Sequence, residues 1–151
     1  MTLRARFTDD TKLAMKAGDT ARVSTLRMIL ARVKDLDIAA RPKGVEQISD
    51  DEIVPALRNM VKQRSESASL YLQGGRGELA AKEAAEIVII EGYLPAPMDS
   101  AALQAAVESA VAETGASGLR DMGRVMAALK AAHGPALDMA RAKALVQARL
   151  A

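Results

Sequence analysis

Asp19-Thr-Ala-Arg-Val-Ser-Thr-Leu26-Arg-Met-Ile29-Leu30-Ala-Arg-Val33-Lys-Asp-Leu36 decides the fold class. Leu26, Ile29, Leu30, Val33 and Leu36 recur at the three- and four-residue spacing that puts apolar side chains on one face of an α-helix. Asp19 stands where an N-cap carboxylate accepts the first free amides, and Pro42 with Gly44 ends the run. A composition rich in Ala, Leu and Met with few aromatics also favours helix over strand.

The same punctuation extends in both directions. Upstream, a first helix is expected from about Thr2 to Lys16, burying Leu3, Phe7 and either Leu13 or Ala14, with Gly18 closing it in the left-handed conformation. Downstream, Ser49-Asp-Asp-Glu52 is a capping box for a third helix, with acidic residues at the positive end of its dipole. Its apolar stripe is Ile53, Leu57, Met60, Val61, Ala68, Tyr71 and Leu72. Pro55 falls inside that helix, removes one hydrogen bond and is expected to bend it. Gly74-Gly75-Arg76-Gly77 forms a turn into a fourth helix from about Glu78 to Tyr93, burying Leu79, Ile87 and Ile90. The run Ile87-Val-Ile-Ile90 has strand propensity, but its Ala, Glu and Lys neighbours favour helix.

Leu94-Pro-Ala-Pro97 cannot continue a helix and reads as a short stiff linker. The domain boundary is placed there, giving an N-terminal helical domain over residues 1–94 and a C-terminal one over 95–151. In the second, Asp99 caps a fifth helix to Thr114, closed by Gly115. Ser117 is expected to cap a sixth to about Ala132, closed by Gly134, and Asp138 caps the last, to Leu150. The predicted class is all-α: about four helices, then a small three-helix domain. The latter has about 55 residues, few enough that docking onto the first domain or onto a partner is expected.

Composition narrows function. Half of the 151 residues are apolar, yet only Phe7, Tyr71 and Tyr93 are aromatic, so the core rests on Ala, Leu, Ile, Val and Met. The absence of cysteine excludes disulfides and thiolate chemistry, and cytoplasm is the expected location. No stretch approaches the roughly 18 uninterrupted apolar residues of a membrane helix, and the first residues resemble neither a signal nor a transit peptide. A soluble protein with no membrane partner is expected.

The net charge of +2 is small but unevenly spread. Residues 1–45 carry ten Lys and Arg against five Asp and Glu, residues 46–115 five against twelve, and residues 116–151 six against two. Two basic ends thus flank an acidic middle, an asymmetry that suits either a polyanion-binding face or a set of intramolecular ion pairs.

Chemistry is hard to place. His133 is the single histidine, with no Cys and no Glu-plus-His spacing beside it, so no metal site is expected. The glycine turn at 74–77 lacks the strand and the Lys-Ser/Thr of a phosphate loop. Asp9/Asp10, Asp50/Asp51 and Glu83/Glu86 are explained by capping or by solvated faces, and no nucleophile is paired with a base. No catalytic residue and no cofactor is assigned.

Two positions break local rules. Arg64 falls within the apolar arc of the third helix, where a buried guanidinium needs a carboxylate; Glu86, Glu91 and Asp37 are the candidates, against a ligand role. In the sixth helix, Met122, Val125, Met126, Leu129 and Ala132 take one side while Arg120, Gly123, Arg124, Ala127 and Lys130 take the other. A mid-helix glycine costs roughly 1 kcal/mol relative to alanine. Gly123 therefore implies close approach by another backbone. That backbone is either the sugar–phosphate chain of a nucleic acid, with Arg120, Arg124 and Lys130 beside it, or a neighbouring helix such as the last one.

At these positions the chain resembles the GatB/YqeY family. The motifs are Ser24-Thr25-Leu26-Arg27, Lys62-Gln63-Arg64-Ser65-Glu66-Ser67, Gly75-Arg76, Glu86-Ile87 and Tyr93-Leu94-Pro95. The most specific is Asp121-Met122-Gly123-Arg124-Val125-Met126. They follow in order along nearly the whole chain; Pro55 and Gly92 depart from the expected pattern. The resemblance implies a helical domain joined to a three-helix tail like that of the B subunit of tRNA-dependent amidotransferase. In that enzyme the tail contacts tRNA and the chemistry lies in another domain. It therefore implies a tRNA- or RNA-binding accessory module with Arg120, Gly123, Arg124 and Lys130 as contact residues and no activity alone. Alternatives are an adaptor for a protein of the translation or aminoacylation machinery, and a component of a glutamine-dependent carbon–nitrogen ligase complex.

Overall fold

The computed structural model describes residues 1–96 and 98–151, so the expected linker is described except at Pro97. All regular structure among these residues is helical. The chain divides into two compact units, Met1–Leu94 and Pro95–Ala151.

The first unit contains α1 (Leu3–Ala17), α2 (Thr20–Ala40), α3 (Asp50–Gln73) and α4 (Gly77–Glu91). Thr2 caps α1 by accepting the Ala5 amide at 3.2 Å, and Gly18 closes it at φ 70°. Asp19 caps α2 through the Arg22 amide at 3.1 Å. A 3₁₀ turn, Arg41–Lys43, and Gly44 at φ 80° end that helix. The capping box at α3 forms, with the Ser49 amide donating to Glu52 Oε2 at 3.2 Å. The helix runs on through Pro55.

The core of this unit is Phe7, Leu26, Ile29, Ile53, Leu57 and Ile90 with their buried neighbours. Ala14, not Leu13, is the buried member of its pair, since Leu13 is 63% exposed. The expected α3 stripe holds to Met60 and then weakens: Tyr71 is half-buried and Leu72 is 64% exposed. α3 packs chiefly on α4; beyond Met60 Arg64 still reaches Met28 of α2, but Ala80 is the one buried residue described between Val61 and Ile89. Small side chains let two helices approach closely without a thick apolar layer. Ile87 to Ile90 is helical, and α4 stops at Glu91, two residues before the expected end.

Buried polar contacts that the sequence does not advertise tie this unit together. Asp37, in the last turn of α2, is buried and receives Arg4 Nη1 at 2.8 Å, Arg4 Nη2 at 2.5 Å and the Ile48 amide at 2.9 Å. Arg4 also donates to the Ile48 carbonyl at 3.0 Å. The carboxylate of Asp50 accepts the Leu3 amide at 3.2 Å, so the start of α3 helps cap the start of α1.

The second unit contains α5 (Ser100–Thr114), α6 (Met122–His133) and α7 (Met139–Leu150). Leu103, Val107, Val125, Leu129, Ala142 and Val146 are central to its core. Asp99 and Asp138 cap α5 and α7 as the sequence indicates, and Gly115 adopts φ 64°. The start of α6 differs. A 3₁₀ turn, Leu119–Asp121, precedes it, and the Ser117 amide donates to Asp121 Oδ2 at 3.0 Å, so Ser117 is not its cap. Ala132 is exposed and not on the buried side.

Candidate nucleic-acid interface

The four proposed contact residues do not share one helical face. Gly123, Arg124 and Lys130 lie on the exposed side of α6, with Ala127 between them. Arg120 is exposed too, but belongs to the preceding 3₁₀ turn, where the 100° step of an α-helix does not apply.

Around Gly123 the structure is open. Apart from the backbone of α6 itself, a Cβ added there would find no atom of α5, α7 or the rest of this unit's described residues within 4 Å. No neighbouring helix packs on this position, so nothing inside the unit accounts for the glycine.

Arg124 has intramolecular partners. Its Nη2 donates to Asp121 Oδ1 at 2.7 Å and its Nη1 to the Thr114 carbonyl at 3.2 Å, the latter an orphan acceptor at the C-terminus of α5. Asp121 in turn holds the Ser117 amide. That hydrogen bond, reinforced by the Arg124 guanidinium, lowers the Asp121 carboxyl to about 2. Asp121 and Arg124 therefore form a clip across the α5–α6 corner. The Arg124 side chain nonetheless remains 60% exposed.

Half of the cations of residues 116–151 are similarly engaged. Arg149 pairs with Glu108 at 2.8 Å, and Arg141 donates to the Met98 carbonyl and Ser100 Oγ. Arg120 and Lys130 take part in none of the ion pairs among the described residues.

Arg64 reaches Glu86, the Nε donating to Oε2 at 3.0 Å, and donates also to the Met60 carbonyl at 3.2 Å. Its Nη2 lies 3.5 Å from Met28 Sδ. Of the three acids considered, Glu91 makes no such contact with it and Asp37 is held by Arg4. Asp10, expected to be solvated, accepts the Tyr93 hydroxyl at 2.5 Å. The Tyr93 ring stands edge-on to Phe7 at 4.9 Å, with the Arg6 guanidinium over it. Burial, aided by the Asp10 carboxylate, pushes the phenol up to about 12. Phe7 and Tyr93 are thus enclosed.

Sequence reasoning named Asp37 only as a candidate for Arg64 and missed its pairing with Arg4, although its position four residues after Val33 in the α2 stripe was a usable signal of burial. It also left Ser24 and Arg27 without a role. Among the described residues no group of three or more His, Cys, Asp or Glu side chains is placed to hold a metal.

The molecule is an all-helical protein of two small units in which several prominent charged residues join one helix to the next. It belongs to the Yqey-like protein family, whose model matches residues 4–150. It is similar to "Altered inheritance of mitochondria protein 41, mitochondrial" of Eremothecium gossypii, 36% identical over 64% of this chain and 52% of the relative. The protein of that name from Lachancea thermotolerans is 32% identical over 60% and 46%, and that of Saccharomyces cerevisiae 31% over 56% and 44%. The chain spans about half the length of these curated relatives. Their names correct the cytoplasmic expectation, because they are mitochondrial proteins. A cysteine-free composition is compatible with any reducing compartment and names none.

Proposed function

We propose that this protein is a non-catalytic accessory module that binds tRNA through the exposed face of α6. The observation that carries this reading is the open surface at Gly123, a glycine that no contact inside the unit requires. A backbone approaching from outside would use that space, and Lys130, Arg124 and the nearby Arg120 would neutralise its phosphates. With Phe7 and Tyr93 enclosed, stacking on bases has little support, so recognition is by phosphate and shape. The relatives' names support a mitochondrial setting.

The test is anisotropy of labelled bulk tRNA over a salt series. With three or four phosphates neutralised, log K falls against log salt with a slope of roughly −2 to −4. Lys130→Glu and Arg120→Glu weaken binding. Arg124 is a poor probe, because its loss also opens the corner at Thr114. Binding weaker than about 10⁻⁴ M at low salt, below ordinary non-specific affinity, refutes the reading.

A further inference from the structure

In Ser24-Thr25-Leu26-Arg27, Thr25 and Leu26 are buried, and Thr25 Oγ1 donates to the Ala21 carbonyl at 3.0 Å. Ser24 and Arg27, three residues apart, are exposed on another side of α2. They line a groove of about 600 Å³ between the C-terminal turn of α1 and the outer side of α2.

The groove has the shape and chemistry of a helix seat. Its α2 wall includes Thr20, Val23, Arg27 and Ala31, a single helical stripe about 16 Å long at 1.5 Å per residue. Met15 faces it from α1, and Met28 lines it while touching Arg64 behind. Two charged residues line it. Asp19 is engaged as the N-cap of α2, whereas Arg27 takes part in none of the ion pairs among the described residues. Arg27 is thus the one cation lining a mainly apolar groove, and it has no carboxylate ion-pair partner among the described residues.

We propose that this groove binds an amphipathic helix of a partner protein. Apolar side chains of that helix pack against Met15, Val23 and Met28, and an Asp or Glu meets Arg27. Methionine thioethers adapt to such apolar anchors, and a groove along a helix accepts another helix of about three turns. The lining has no aromatic group to stack a base and a single cation for phosphates, which disfavours RNA. This site lies in the first unit and does not rest on the α6 reading.

The probes are two fluorescein-labelled amphipathic peptides of about 18 residues, long enough to hold helix. They share one leucine face and differ only in Glu or Lys at the position opposite Arg27. Against the full chain with ¹³C-methyl methionine, the Glu peptide should bind roughly ten-fold more tightly and shift the Met15 and Met28 methyls. Arg27→Glu should invert the preference, and Met15→Glu should abolish binding of both peptides with an unchanged melting curve. Equal binding, no binding at about 1 mM, shifts confined to other methionines, or a preference that survives Arg27→Glu would overturn the proposal. So would tRNA shifting the same methyls, or self-association that Met15→Glu removes, which would give the groove to RNA or to a second copy.

Discussion

Arg64 and Glu86 face each other across the α3–α4 hairpin, Nε to Oε2 at 3.0 Å, with side chains only 13% and 15% exposed. The pair lies one turn beyond Met60, at the edge of the core beside Met28, where few fully buried side chains join the two helices. Arg64→Ala leaves the Glu86 carboxylate poorly solvated and uncompensated, and should cost about 3 kcal/mol. Urea unfolding of Arg64→Ala, Glu86→Ala and the double variant tests this. The double variant should lose clearly less than the two single losses combined, and simple additivity would show that the pair is not coupled.

Gly123→Ala should raise the stability of the second unit by about 0.5–1 kcal/mol, because the added methyl meets nothing and the helix gains alanine's propensity. The same methyl would stand where a phosphate backbone is proposed to approach. A variant that melts later and binds tRNA less well would separate a functional glycine from an incidental one. Unchanged tRNA binding would count against the α6 face.

Tyr93 should titrate at about 12, with burial the main cause and Asp10 the second. A phenol whose folded value exceeds its unfolded value near 10 lends stability that is complete below about pH 10 and is lost as pH climbs towards 12. Phenolate absorbance in a Tyr71→Phe background reads Tyr93 alone. Tyr93→Phe should cost about 2 kcal/mol, the scale of a hydrogen bond to a charged acceptor.

Asp37 is held below the usual carboxylate range, chiefly by its hydrogen bonds from Arg4, against the opposing effect of burial. Its contribution is present above the unfolded value, about 3.9, and is lost as pH falls through the lower folded value. Urea midpoints measured from pH 7 down to pH 3 should drop in the wild type. Asp37→Asn should start less stable and lose less over that interval, whereas parallel curves would place the acid sensitivity in other carboxylates.

The candidate site was only partly legible. The glycine at 123 and the charges around it could be named because a mid-helix glycine departs from local propensity. The turn at Leu119–Asp121 could not be foreseen, because Ser117 satisfies the N-cap preference as well as any residue. The Asp121 carboxylate instead serves two donors at once, the Ser117 amide and Arg124. Leu13 and Ala14 were a similar ambiguity: adjacent residues lie only 100° apart on a helix, and the neighbouring packing chooses between them.

Local physics determined the all-helical class, the caps at Asp19, Ser49, Asp99 and Asp138, the stops at Gly18, Gly44 and Gly115, and most of the first unit's core. Each follows from interactions within one or two turns of chain, which the order of residues states directly. Which acid meets Arg64, that Arg4 closes on Asp37, that Arg124 serves the end of α5, and that Ser24 and Arg27 border a groove were decided by tertiary structure alone. The first three contacts join residues 22, 33 and 10 positions apart and the groove combines two helices, so their partners depend on how the helices are set in space.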